Sequence, residues 1–205
     1  AQILQGNTLS TPKFMEKGNL KTFDYIVSNP PFSDKRWSNG LSPDQDEFER
    51  FQSYGVPPDK QGDYAYMLHI IRSLKSNGKA AVILPHGVLF RGNAEETIRK
   101  NILTRGYIKA IIGLPANLFY GTGIPACIIV LDKSQAAARD GVLMIDASEG
   151  FKKDGPKNRL NEMDVHRIVD AYQQGDDIFG YSRFVPMAEI LDQDYNLNLP
   201  RYIAS

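Results

Sequence analysis

The chain has 205 residues, 42% hydrophobic and 23% charged, enough for one globular unit with a buried core. Its 24 basic and 24 acidic side chains cancel, which excludes a uniformly basic surface and an acidic disordered chain alike. One cysteine and three histidines exclude an internal disulfide and leave no metal-ligand set, and no apolar run reaches the roughly 18 residues of a membrane helix, so the expected compartment is reducing and cytoplasmic.

Phe23 to Ser28 is short, aromatic and β-branched, and Asn29-Pro30-Pro31 stops it; it predicts a buried strand with a turn at its carboxyl end. Asn29 is held extended because a proline follows. Ser33 to Gly62, rich in Ser, Asp, Gly and Pro, predicts a long functional loop. Tyr64 to Ser76 has helical apolar spacing, with Asn77-Gly78 as a left-handed exit. Lys79 to Pro85 predicts a second, fully buried strand. Asn93 with Glu96 resembles a capping pair for a helix that runs to Arg105 and ends at Gly106. Ile108 to Leu114 and Ala126 to Asp132 predict two more strands, and the loop between them is too short for a crossover helix, so the pair is expected to be antiparallel. Val142 to Asp146 adds a strand, Lys152 to Arg159 is a basic stretch, and Met163 to Gln174 predicts an amphipathic helix carrying Ile168, Val169 and Tyr172 on one face. The pattern is α/β: part of a doubly wound, Rossmann-like sheet with one reversed strand near its edge and a C-terminal helical extension. Residues 1–148 are expected to form the sheet domain and 149–205 the extension, a candidate docking element for another subunit.

The carboxyl end of a strand is where open α/β sheets place their chemistry, and Asn29-Pro30-Pro31-Phe32 stands there. An exocyclic amine on a base is a poor nucleophile because its lone pair is delocalised into the ring. Two acceptors aimed at its hydrogens, the Asn29 side-chain oxygen and the Pro30 carbonyl, favour the pyramidal nucleophilic form as the transition state is approached. The prolines fix the backbone and add no competing N–H. Phe32 offers a flat face. Extruding a base costs a few kcal/mol and stacking returns roughly 1–3 kcal/mol per aromatic, so a second aromatic would help, and the Leu118-Phe119-Tyr120-Gly121 loop is the best candidate.

The segment Phe23 to Phe32 resembles motif IV of the amino (N6-adenine) DNA methyltransferases. Gly62-Asp63-Tyr64-Ala65-Tyr66, the stretch Leu84 to Gly92 and the stretch Ile112 to Pro125 resemble the modification subunit of type I restriction-modification systems, as does Asp194 to Tyr202 in the tail. The resemblance implies methyl transfer from S-adenosylmethionine to adenine N6 in double-stranded DNA, in a complex with a specificity subunit and a restriction subunit. It implies catalytic roles for Asn29, Pro30, Pro31 and Phe32, base stacking for Phe32 and Phe119, and cofactor contact for Asn29, Asp63 and Tyr64. The family's glycine-rich cofactor loop precedes motif IV, and nothing before Phe23 has that form. The chain is therefore expected to be the C-terminal part of such a subunit, inactive alone, with an adhesive sheet edge.

Other residues have competing readings. Lys35 and Arg36 follow the catalytic turn and suit DNA phosphates; Lys152, Lys153 and Lys157 to Arg159 read either as a second basic patch or as solvated surface. Cys127 lies in an apolar strand and reads as structural, which disfavours cytosine-C5 chemistry. His86 follows a strand end and reads as a structural loop residue more than a base. Gly121-Thr122-Gly123 precedes a strand, not a helix, and so lacks the geometry of a phosphate cradle. Two alternatives stand beside the adenine reading: methylation of a protein glutamine amide, which uses a similar Asn-Pro-Pro turn, and a non-enzymatic assembly module.

Overall fold

The computed structural model describes residues 1–204. Two short strands, β1 (Met15–Glu16) and β2 (Asn19–Leu20), form a hairpin ahead of β3 (Phe23–Ser28). The long loop follows, then α1 (Asp63–Arg72), β4 (Leu74–Pro85), α2 (Ala94–Thr104), β5 (Ile108–Gly113), β6 (Ala126–Asp132) and β7 (Gly141–Asp146). Next come a second hairpin, β8 (Lys152–Asp154) and β9 (Lys157–Arg159), then α3 (Glu162–Gln174), β10 (Ser182–Pro186) and α4 (Met187–Asp192). No helix among the described residues is long and apolar enough to cross a membrane.

Six strands form one mixed sheet in the order β10-β7-β5-β6-β4-β3. The pairs β3–β4 and β5–β7 are parallel, while β6 runs antiparallel to both β4 and β5. The short β5–β6 connection thus gives the antiparallel pair its length predicts, but two strands and not one are reversed: β6, inside the described sheet, and β10, antiparallel to β7 at its edge. Side chains alternate across the sheet as a period of two requires. Val82, Leu84, Ile111 and Ile129 pack on one face against α1 and α2; Ala110, Ile112 and Ile145 face the other, where Ile168 and Ala171 of α3 cover them.

Several expectations change. β3 is an edge strand with Tyr25 75% and Val27 85% exposed, so its apolar composition does not make it buried. α1 ends at Arg72, where Ser73 caps it by donating its hydroxyl to the His69 carbonyl at 2.8 Å. Asn77-Gly78 is not the helix exit: it lies where the β3–β4 register slips between Phe23 and Tyr25. Asn93 precedes α2 with a positive φ of 58° and makes no side-chain cap, whereas Gly106, at φ 75°, does supply the left-handed turn after it. The tail holds more structure than its sequence suggests. β10 pairs with β7 in the same sheet, and Val185, Ile190, Leu197, Leu199 and Tyr202 join the core beneath α1 and α2.

The open edge leaves two depressions along β3. One, of about 400 Å³, lies between it and the N-terminal segment and is lined by Leu4, Thr8, Lys13, Tyr25, Ser28 and Ile70. The other, of about 470 Å³, lies on the face that α3 covers only in part, against Val27, Ala81, Ile128, Val130 and Val169.

Candidate active site

Asn29 leaves the carboxyl end of β3 with its side chain exposed, Pro30 is buried beneath it, Pro31 is exposed and Phe32 half-buried. A buried proline between two exposed residues pins the turn while leaving the Asn29 corner open. The Phe119 ring, from the β5–β6 loop, meets the Phe32 ring edge to face, with centroids 6.0 Å apart and planes at 72°. Residues 87 positions apart thus converge at one corner.

The backbone after Phe32 is held by the start of α1. Ser33 takes the left-handed conformation at φ 51°, which costs a residue with a Cβ roughly 1–2 kcal/mol, and its N–H donates to Asp63 Oδ1 at 2.8 Å. The other carboxylate oxygen of Asp63 accepts from Arg91 Nη2 at 2.7 Å, and Arg91 Nε donates to Glu95 at 2.5 Å. Asp63 and Glu95 are both buried, so the one Arg91 guanidinium is shared between two carboxylates. Asp34 is fixed in the same way: Oδ2 accepts from the Tyr66 hydroxyl at 3.0 Å, and its carbonyl accepts the Gly62 N–H at 3.1 Å. Burial, then the adjacent Asp34, pushes the Tyr66 hydroxyl up to about 12. A Cβ on Gly62 would come within 2.7 Å of the Trp37 Cβ, so the close approach of loop to helix requires glycine there.

Asp63 and Tyr64, expected beside the cofactor, lie under the site. Both oxygens of Asp63 are engaged by protein donors, and Tyr64, 1% exposed, donates its hydroxyl to the Val88 carbonyl. Burial pushes the Tyr64 hydroxyl far above its usual range. Their side chains shape the floor and are not free to face a ligand. Val88 and Arg91 are tied in turn to Arg99, whose Nη1 donates to both their carbonyls and whose Nε donates to the Tyr195 carbonyl. This link between site floor and tail has no signal in the local sequence.

Lys35 and Arg36 are exposed two and three residues beyond the pinned Ser33. His86 donates Nε2–H to the Ala126 carbonyl at 2.8 Å, and burial holds its pKa down, so it is a neutral brace. Cys127 is fully buried in β6, and burial drives its thiol far up; it is structural. Thr122 caps the loop tip, accepting the Ile124 N–H at 3.1 Å. The basic stretch Lys152 to Arg159 folds as the β8–β9 hairpin and docks on the Phe119 loop. No group of acidic, cysteine or histidine side chains that would hold a metal occurs among the described residues.

With this geometry in place, similarity to known proteins defines the class. The methyltransferase subunit of the type I restriction-modification system of Streptococcus thermophilus matches with a TM-score of 0.86 and 39% identity, over 96% of this chain and 41% of that one. The sheet is therefore that of a type I restriction-modification methyltransferase subunit. The N-6 DNA Methylase family matches residues 1–205, and the chain belongs to it. The MjaVII type I methylase subunit of Methanocaldococcus jannaschii is 35% identical over 98% of the chain, and the HindI methylase subunit of Haemophilus influenzae 33% identical over 90%. The chain spans 35% and 42% of those two relatives.

Proposed function

We propose that the chain carries the target-base half of an adenine-N6 DNA methyltransferase, the modification subunit of a type I restriction-modification complex. The observation that carries this reading is the open corner where Asn29 and Pro30 stand beside the Phe32–Phe119 pair. A purine turned out of its duplex stacks on that aromatic surface, and its amine then meets the Asn29 side-chain oxygen and the Pro30 carbonyl. Those two acceptors draw on the amine hydrogens and favour the pyramidal nitrogen. Bound S-adenosylmethionine supplies an electrophilic methyl carbon on a sulfonium.

The residues of this chain fit the transfer end of that cofactor. Asn29 is exposed at the carboxyl end of β3, next to the depression that reaches Ser28, and would face the methyl group. Asp63 and Tyr64 hold the floor in shape beneath it. Lys35 and Arg36 would grip phosphates beside the extruded nucleotide. The relatives are methylase subunits of type I restriction enzymes, and the expected partners here are a specificity subunit, a restriction subunit and duplex DNA, in the cytoplasm. No observation favours glutamine methylation or a non-enzymatic module.

The test is nucleoside analysis of duplex DNA after incubation with S-adenosylmethionine and the longest polypeptide that carries this sequence, assembled with its specificity subunit. N6-methyladenine is the expected product. Methylation at cytosine, or none, would contradict the reading.

A further inference from the structure

The β8–β9 hairpin is joined to the Phe119 loop at four carbonyls. Lys157 Nζ donates to the Phe119 carbonyl at 2.5 Å and to the Thr122 carbonyl at 3.2 Å. Asn158 donates its side-chain amide to the Ala116 carbonyl and its backbone N–H to the Asn117 carbonyl, both at 2.8 Å. The inward residues of the hairpin thus hold the loop whose aromatic meets Phe32, while its other cations, Lys152, Lys153 and Arg159, are exposed. Asp154 is the opposing charge on the hairpin, 4.0 Å from Arg159 with both side chains 65% exposed, a separation at which water screens most of the attraction. Lys35 and Arg36 stand exposed on the chain that leaves Phe32. Cations therefore flank the aromatic pair from two separate elements.

A nucleotide turned out of a duplex leaves phosphates on either side of the gap. From this juxtaposition we propose that the β8–β9 hairpin is a DNA-backbone clamp, with Lys152, Lys153 and Arg159 contacting phosphates and Lys157 and Asn158 coupling that contact to the position of Phe119. The inference rests on the DNA methyltransferase reading and adds to it a surface and a route from phosphate contact to base stacking. Lys157 is a positioning residue: its ammonium touches the loop backbone.

The experiment measures binding of labelled duplex DNA by anisotropy across a salt series, with the longest polypeptide carrying this sequence and its specificity subunit. Each phosphate contact contributes about −0.9 to the slope of log K against log salt concentration. The variant Lys152→Ala/Lys153→Ala/Arg159→Ala is expected to shallow the slope by about 2 to 3 and to weaken specific and unrelated duplexes alike. The single reversal Lys153→Glu, which spares the turn, should weaken binding in the same sequence-independent way. Lys157→Met, which keeps the apolar stem, is expected to leave the slope unchanged while methyl transfer at saturating DNA slows roughly 10-fold. An unchanged slope in both Lys153→Glu and the triple variant overturns the clamp, and an unaltered rate in Lys157→Met overturns the coupling. A parent protein that binds no duplex overturns the underlying reading, and the clamp with it.

Discussion

Asp63 shows how one carboxylate braces the proposed site from beneath. One oxygen holds the N–H of Ser33, a residue in left-handed conformation directly after the Phe32 ring, and the other pairs with Arg91. Hydrogen bonds to charged groups contribute about 1.5–3 kcal/mol. Asp63→Asn keeps an acceptor for Ser33 but loses the charge that faces Arg91, so urea unfolding of this chain should show a loss in that range. Asp63→Ala, which also strands the Ser33 N–H, should lose more. Equal stability of Asp63→Asn and the parent would contradict the arrangement. The turn itself is legible in the sequence, because Asn-Pro-Pro after an apolar strand is a rigid corner of unusual composition. The Asp63–Arg91–Glu95 group was not: Asp63 and Arg91 lie 28 residues apart, and a carboxylate at the start of a helix reads equally well as a dipole partner. The expectation that Asp63 contacts the cofactor came from the resemblance of its segment alone.

The long loop and α1 are best treated together. Ser33 to Gly62 has almost no regular structure, yet Trp37, Phe51, Asp46 and Arg50 are buried within it. Arg50 makes two hydrogen bonds to Asp46 with its side chain, at 2.8 Å each, and donates to the Leu9 carbonyl. Its Nη1 lies 3.2 Å from His69 Nδ1, so that ring nitrogen accepts and His69 is neutral. Burial first, and the Arg50 charge second, lower the His69 pKa from 6.5 to about 4. A base whose folded pKa is depressed binds its proton more readily when unfolded. Stability is therefore expected to be full above about pH 6.5 and to fall as pH drops toward 4, and His69→Gln should flatten that slope. Burial alone would raise Asp46, but its bonds from Arg50 hold it below its usual value, so its own contribution is lost only at lower pH. A parent and variant with identical melting-temperature profiles between pH 7 and pH 4 would contradict this. At this scale the sequence was a mixed guide. Apolar spacing located α1 and α3, short apolar runs located five strands of the sheet, and α2 was placed by a capping pair that does not form, whereas α1 ended earlier than Asn77-Gly78 suggested because Ser73 caps it first. The β8–β9 hairpin was hidden because lysines carry little strand preference; its stability comes from the loop it holds.

Across the whole molecule, the sheet is well covered on the side of α1, α2 and the tail, and open at β3. Tyr25 and Val27 project from an edge strand beside two depressions, and an exposed apolar edge templates association. This chain is therefore expected to self-associate at micromolar concentration, and Val27→Lys should shift its sedimentation toward the monomer with stability changed by no more than about 0.5 kcal/mol. Identical sedimentation of parent and variant would contradict an adhesive edge. The expectation of a separate extension from residue 149 onward came from a change in texture, and texture misses what β10 does: it pairs with β7 and carries the tail into the same core. Long-range pairing of that kind has no local signature, because a five-residue strand is specified by the partner already in the sheet.

The central claim is that the Asn29–Pro30 corner activates a base amine, and methyl transfer by an Asn29→Ala variant tests it most directly. The measurement is turnover at saturating duplex DNA, in the assembled complex, beside the affinity for the same duplex. Loss of one preorganised polar partner of a transition state costs about 10²–10³ in rate, so turnover should fall by that factor with DNA affinity nearly unchanged. Turnover equal to the parent's would remove Asn29 from the chemistry and contradict the account.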